Sequence, residues 1–279
     1  MDRPFADLHV HSFYSDGSMS PEEIVEAAAA NGVGTLAVAD HDVLHGSLRT
    51  QALCRDNGIH CIPAVEIDTL DRGENFHILA YGFDVTSSLF CDFLASTRFM
   101  LDEASVKLIE RMRPDHPDFS FEDYDKFVYD KRLGGWKALH YFMEKGLTSS
   151  LKEGIQLYST YGISHSQSGF STIAVTAYRI KRAGGYSVLA HPGALIDASD
   201  IDVFKQELRR LVSYGLDGIE CYYPWYSEAI TQACLDVCNE YKLLVTAGSD
   251  CHGAFGKTKV GEMGIFTNQL NLKDLLEDR

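Results

Sequence analysis

Basic residues are scarce in this chain. Its 25 lysines and arginines face 40 aspartates and glutamates, a formal net charge of −15 at pH 7. No basic run is longer than the pairs RR and KR. A protein that grips a long polynucleotide draws most of its affinity from phosphate neutralisation, so this balance argues against such a partner. A small anionic substrate stays open, because carboxylates that hold divalent cations count as negative in a sequence sum while the ions set the local field. The seven cysteines are odd in number and include no CxxC pair. They read as reduced thiols rather than a disulfide framework. Cys234 and Cys238 have no partners to complete a thiolate zinc site and read as small apolar residues. No apolar run approaches the ~20 residues of a bilayer-crossing helix, and MDRPFADLHV lacks the basic-then-apolar order of a signal peptide. The expected location is the cytoplasm, with no membrane partner.

What is present alternates. At 279 residues and 45% hydrophobic content, the chain suffices for one large α/β barrel or two smaller domains. Apolar strands (PFADLHV, GTLAVADHD, GIHCIPAVEID, NFHILAYGF, then YSVLAHPG, DGIECYYP and LLVTAGSDCHG) are separated by helical stretches, the rhythm of a parallel sheet or barrel. In the first helix Ser20 reads as the N-cap, Pro21 as the first helical position, Glu23 as the closing half of a capping box and Gly32 as the stop. The rhythm fails from about Thr86 to Gly169. That stretch reads as a mostly helical insertion (86–169) over one end of a barrel formed by 1–85 and 170–279.

Polar residues collect at the predicted strand ends: His9 and His11 with Asp16 in the next turn, Asp40 and His41, Glu66, His77, His191, then Asp250 and His252. In a parallel barrel the carboxyl ends of the strands converge on one face, which carries the active site. Taken singly, each has an ordinary reading. His77 is a strand histidine, Asp40 a helix cap and His191 a loop residue. The ordinary reading has to hold at seven or more positions, all at the same end of the strands. Imidazole and carboxylate without thiolate suit Zn²⁺, Mn²⁺ or Fe²⁺. About nine ligands exceed what one ion uses, so two or three ions are implied, with Glu66 suited to bridging. Ions ~4 Å apart serve in-line displacement at phosphorus or water attack on an amide.

DLHVH with the later SDG, ADHD, the glutamate of PAVEI, FHILAYG, LAHPG and GSDCHG resemble, in order along nearly the whole chain, the motifs of the PHP (polymerase and histidinol phosphatase) family of metal-dependent phosphoesterases. The resemblance implies a distorted (β/α)7 barrel. It places His9, His11, Glu66 and Asp250 on a first metal, Glu66 with His77 and His191 on a second, and Asp16, His41 and His252 on a third. Glu66, His191 and Asp250 are then the catalytic residues. Manganese is the expected ion, with zinc or iron(II) as alternatives. Asp40 is expected to orient a ligand histidine from behind. The implied reaction is attack of a metal-bridging hydroxide on phosphorus.

The resemblance extends to members with an insertion between the fourth and fifth strands. Many carry an Arg-Pro-His triplet there, and some hydrolyse nucleotide 3′,5′-bisphosphates or trim short RNA. Here Gly135, Trp136 and Lys137 occupy those positions. The expected substrate is therefore a small phosphorylated sugar or nucleotide, including a cyclic phosphodiester opened and then dephosphorylated. Arg132, Lys137, Lys257 and Tyr222 are its expected contacts. The alternative is a 3′,5′-bisphosphate phosphatase or short-RNA 5′-exonuclease. An amidohydrolase is a weaker reading, because those enzymes usually lack a counterpart of His252. Oligomeric state is not legible.

Overall fold

The computed structural model describes residues 3–277. Its strands form two sheets. The first is parallel, in the order β1 (Phe5–Val10), β2 (Val33–Val38), β3 (His60–Cys61). The second runs β4 (Ala64–Asp71), β5 (Glu74–Tyr81), β6 (Tyr186–Leu189), β7 (Gly218–Tyr222), β8 (Leu244–Ala247). Within it β5 is antiparallel to both neighbours and the remaining pairs are parallel. Single parallel bridges join the sheets at two seams, His41 to Glu66 and Val10 to Cys251. This is the distorted barrel, and both seams fall among the candidate ligands.

The seven strands expected become eight, for a local reason. Pro63 interrupts the third stretch and separates β3 from β4, since proline cannot donate to a ladder. Arg72 and Gly73 both take positive φ, 51° and 87°, which closes β4 and β5 into a tight hairpin. His77 therefore sits inside an antiparallel strand, directly across from Asp68, rather than at the end of a parallel one. Strand alternation does the rest. Val65, Ile67, Ile78 and Ala80 pack outward under the helices with Phe204 and Leu208. Leu79 and Tyr81 join Leu8, Ala37 and Val188 in a separate inner cluster, and the same alternation puts Glu66, Asp68 and His77 on the inner face.

The helices are α1 (Pro21–Ala30), α2 (His45–Asn57), α3 (Ser88–Met112), α4 (Phe121–Lys126), α5 (Lys137–Glu144), α6 (Leu151–Thr160), α7 (Ile173–Arg182), α8 (Pro192–Leu195), α9 (Ile201–Val212) and α10 (Glu228–Tyr241). Helix α1 begins with the capping box read from the sequence: Ser20 accepts from the Glu23 N–H, and the Glu23 carboxylate accepts from the Ser20 N–H. Helix α3 belongs to two cores. Phe90 and Leu94 near its start pack against the barrel. Leu108, Ile109 and Met112 near its end pack with Phe119, Tyr124, Tyr141 and Phe142 in a second apolar cluster. Helices α3 to α6 thus enclose a core of their own beside the barrel. Among the described residues no helix is long and apolar enough to cross a membrane.

Candidate metal centre

Strand β1 delivers His9 and His11 fully buried, which is costly for imidazoles unless every nitrogen is used. His9 Nδ1 meets Glu220 Oε1 at 3.1 Å, so its Nε2 faces the cluster. There His9 Nε2 and His11 Nε2 lie 3.1 Å apart. Each is 3.2 Å from Glu66 Oε2, and they are 3.5 and 3.1 Å from Asp250 Oδ1. Ligands held at ~2.1 Å from one ion lie roughly 3.0–3.4 Å from each other. Two ring nitrogens and two carboxylate oxygens at that spacing have the geometry of a coordination shell. The other Glu66 oxygen faces a different set: Oε1 is 3.0 Å from His77 Nδ1 and 2.9 Å from His191 Nε2. One buried carboxylate therefore divides its two oxygens between two groups of imidazoles.

A third group lies next to these, made of His11, Asp16, His41 and His252. Asp16 Oδ2 is 3.3 Å from His252 Nε2. The His252 ring is oriented by its own Nδ1, 2.9 Å from the Asp250 carbonyl oxygen. His41 Nε2 is also 3.4 Å from Glu66 Oε2, so His41 stands between groups. All nine residues named from the sequence as ligands fall into four overlapping sets, each able to offer one atom to a common ion. The fit to metal does not rest on distance alone. His191 Nδ1 is buried without a hydrogen-bond partner, and His11 Nδ1 and Asp16 Oδ1, also buried, meet each other only at 3.5 Å, a cost that cation binding in the surrounding shell would help to offset. Three non-glycine residues in or beside the cluster, Asp42, His191 and Asp250, hold positive φ of 55°, 28° and 50°. Such strain persists only where the surroundings enforce it.

Electrostatics follow from the crowding. Burial disfavours charge on His9, His77 and His41, yet Glu66 and its neighbouring carboxylates raise all three pKa values. Burial likewise opposes the charge on His252, but Asp16 and Asp250 push it up to about 10. Against their own burial, Glu66, Asp68 and Asp250 are pulled well below the usual carboxylate range by the surrounding imidazoles.

Two residues the sequence reading missed do the orienting assigned there to Asp40. Asp40 itself accepts from the Ser12 N–H at 2.8 Å, the Ser12 hydroxyl at 2.7 Å and the Ser15 hydroxyl at 2.6 Å. It thus fixes the turn between His11 and Asp16 rather than a histidine. Gly46 permits this approach, since a Cβ there would meet Asp40 Oδ2 at 1.9 Å. Glu220 is a true histidine partner, holding His9 and also accepting from the His191 N–H at 2.8 Å. Asp68 is the other: Oδ1 lies 3.3 Å from His77 Nε2, and Oδ2 lies 3.6 Å from His41 Nδ1. The available signal was the spacing of two between Glu66 and Asp68 in a strand, which puts both on one face. Asp42 is buried against Asp68, and burial together with that neighbouring charge raises its pKa well above the usual range.

The expected substrate contacts fare differently. Lys137 Nζ donates to the Asp125 carbonyl at 2.8 Å and lies over the Tyr124 ring, away from the cluster. Arg132 pairs with Glu23 at 2.5 Å on the surface. Lys257 is exposed on a cleft shared with Met19, Ala27 and Asn31. Tyr222 packs outward against the apolar layer. Its neighbour Tyr223 takes the inward position and donates to Asp250 Oδ2 at 2.8 Å. A cation near the cluster is Arg98 of α3, bonded to Asp102 at 2.9 Å. Burial opposes its charge, but Asp102, Asp42 and Asp16 raise its pKa. In place of the arginine and histidine of the triplet there is a backbone clasp. The Gly135 N–H donates to the Asp16 carbonyl at 2.7 Å. Gly134, at φ +70°, lies where a Cβ would meet Phe255 at 2.4 Å.

Comparison with known proteins agrees with this geometry. The PHP domain model matches residues 7–99. A phosphoribosyl 1,2-cyclic phosphate 1,2-diphosphodiesterase from Eggerthella lenta is 30% identical over 90% of this chain and 95% of its own length. The chain belongs to the PHP family. It is a phosphoric ester hydrolase. This PHP protein is also 27% identical to a 5′-3′ exoribonuclease of Haemophilus influenzae, over 92% of this chain and 93% of that one. Its fold is shared with a candidate metal-dependent phosphoesterase from Bifidobacterium adolescentis, at a TM-score of 0.73 and 24% identity, covering 92% and 90% of the two chains.

Proposed function

We propose that this protein hydrolyses small phosphate esters of sugars or nucleotides at a site of two to three divalent ions. His9, His11, Glu66 and Asp250 would hold the first, Glu66, His77 and His191 the second, and Asp16, His41 and His252 the third. The observation that carries this reading is the divided Glu66 carboxylate, with Oε2 toward His9 and His11 and Oε1 toward His77 and His191. An all-imidazole and carboxylate donor set suits manganese, zinc or iron(II), and we favour manganese. Bound there, such ions polarise the phosphoryl oxygens and lower the pKa of water.

The chain's own residues supply position and charge. Glu220 and Asp68 keep His9, His41 and His77 turned toward the cluster. Tyr223, bonded to Asp250, and Arg98, near Asp16 and Asp42, flank the space into which an ester would enter. A guanidinium offers planar paired donors to phosphate oxygens. An ion held by Asp16, His41 and His252 would offer a further Lewis-acid contact to phosphate oxygens, the chemistry needed to reach both ester bonds of a cyclic phosphodiester. The similarity to the Eggerthella lenta enzyme supports that extension.

The similarity to an exoribonuclease keeps a second reading in view, 3′,5′-bisphosphates or short RNA. The net charge of −15 and the turning of Lys137 toward Asp125 count against a long strand. The test is phosphate release by manganese-reconstituted protein, with EDTA-treated and His191→Ala controls. The panel pairs a cyclic ribose phosphodiester, its ring-opened monoesters and adenosine 3′,5′-bisphosphate. Release from the cyclic ester is the expected result. Turnover of monoesters alone would remove the diesterase half of the proposal.

A further inference from the structure

A large apolar side chain stands in the open near the cluster. Trp225 follows β7 and is 63% exposed, although tryptophan is highly buried on average. The chain's other tryptophan, Trp136, is half-buried and donates its indole N–H to Tyr158. Trp225 is presented by a defined turn. The Tyr226 N–H donates to the Tyr223 carbonyl at 3.1 Å, which places Pro224 and Trp225 at the two central positions, the first of them favoured for proline.

A relay of rings joins this turn to the candidate ligands. Tyr223, whose hydroxyl donates to Asp250, has its ring 5.5 Å from that of His191. Trp225 stands edge-to-face to Tyr223, again at 5.5 Å, with 79° between the planes. Tyr226 braces the inner end, 5.3 Å from Tyr223 and accepting from the Gly193 N–H at 2.8 Å. The indole is therefore positioned by the loop that carries His191, while most of its own surface faces water.

We propose that Trp225 is a specificity-determining residue, the platform on which a nucleobase of the substrate stacks. This rests on the phosphoesterase reading above and adds to it a base subsite, used by nucleotide esters and left empty by base-free ones. Length is the first argument. Two ring steps of 5.5 Å lead from His191 through Tyr223 to Trp225, a span within reach of the base of a nucleotide whose phosphate sits at the cluster. The second is chemistry. Lys137 and Arg132, expected from the sequence to hold anionic groups, are engaged by Asp125 and Glu23. Stacking then carries a larger share of the binding. It accepts any base, since each has a π-face.

Two measurements test this. In metal-free protein, adenosine 5′-monophosphate should quench tryptophan fluorescence saturably, ribose 5-phosphate should not, and Trp225→Leu should abolish the quench. In metal-loaded protein, Trp225→Ala should raise KM for adenosine 3′,5′-bisphosphate by about tenfold or more. Its kcat, and the kinetics of a base-free ribose phosphate, should stay unchanged, and Trp225→Phe should recover most of the loss. Equal losses on base-bearing and base-free esters would overturn the proposal, since they mean that Trp225 only packs. So would wild-type KM with no quench. Failure of the underlying reading looks different: metal-loaded wild-type protein would release phosphate from none of the esters, p-nitrophenyl phosphate included.

Discussion

The barrel's metal face and the inserted helical layer both carry charged residues, but they hold them in different ways. On the metal face His9, His11 and Glu66 are almost completely buried, each with two or more polar neighbours within 3.5 Å. In the inserted layer Lys137 and Lys145 lie over Tyr124 and Tyr141 and bond to acceptors of that layer, while Arg132 pairs across to Glu23 of α1. Burial makes the difference. A buried charge without partners costs several kcal/mol, so each position on the metal face constrains the others. An exposed cation costs little in any direction and takes whatever acceptor is near. The metal face is thus a determined arrangement, and the helical layer beside it contributes a backbone contact, from the Gly135 N–H to the Asp16 carbonyl.

The strongest way to break this contrast is at Glu66. Glu66→Ala should lower phosphate release by about a thousandfold or more, several kcal/mol of lost charge stabilisation. It should also reduce the bound metal by more than one equivalent, because one carboxylate faces two groups of imidazoles. Metal content by elemental analysis checks the second point. Loss of a single equivalent would mean that Glu66 does not bridge.

Next in size is the pair of missed carboxylates. Asp68→Asn and Glu220→Gln should each cost about 10- to 100-fold in metal affinity or turnover, as for other partners that orient ligand histidines. Asp40→Asn should act instead on the turn from Ser12 to Ser15, lowering Tm more than it alters the affinity of the first two ions. Proton linkage gives a companion test. Nearby carboxylates raise the pKa values of His9, His41, His77 and His252 against their burial. In the metal-free protein these rings are thereby made harder to deprotonate, and metal binding must expel the protons they retain. Affinity should therefore rise as pH rises through neutrality, with proton release visible in calorimetry as a dependence on buffer ionisation enthalpy. A pH-independent affinity would place the ions elsewhere.

These carboxylates also show what the sequence could and could not convey. The nine candidate ligands stood out because histidine and aspartate are rare at the ends of apolar strands, and each motif carried its own signal. Asp68 was hidden inside the same strand as Glu66, and its role depends on a hairpin that sets it across from His77. That pairing follows from the positive φ of Arg72 and Gly73, whereas the strand pattern alone read as another parallel βα step. Glu220 was hidden because β7 looked like a plain core strand. The capping box of α1 was fully legible, since all its partners lie within four residues. Arg98 was not, because a charged helix does not announce which of its arginines lies near Asp16 and Asp42.

The inserted layer meets the metal face at the clasp from Gly135 to Asp16, and a modest substitution there sharpens the comparison. Gly134→Ala forces a Cβ against Phe255 at a φ of +70°. The strain should lift the Gly135 N–H from the Asp16 carbonyl, so that the Asp16, His41 and His252 group weakens while the two groups around Glu66 keep their ions. The expected signature is loss of one metal equivalent and a severalfold drop in turnover, with Tm changed by only a few degrees.

Arg132→Ala and Lys137→Ala mark the lower end. Both side chains belong to the inserted layer, and neither donates to a ligand residue. The Arg132 pair with Glu23 is exposed on both sides, and such a pair is worth about 0–1 kcal/mol and is weakened by salt. Turnover in either variant should stay within about twofold of the parent, with KM for a nucleotide bisphosphate equally unmoved. The two variants differ in one respect. Glu23 also closes the capping box of α1, accepting from the Ser20 N–H at 2.8 Å, so freeing it from Arg132 leaves the helix cap intact. Lys137 lies over Tyr124 at the edge of the second apolar cluster, so its removal should lower Tm slightly without touching kcat. A tenfold rise in KM for either variant would show that the layer closes further on substrate than the free protein does. The glycine clasp, which fixes Asp16 to that layer, is then the first place to look for the hinge.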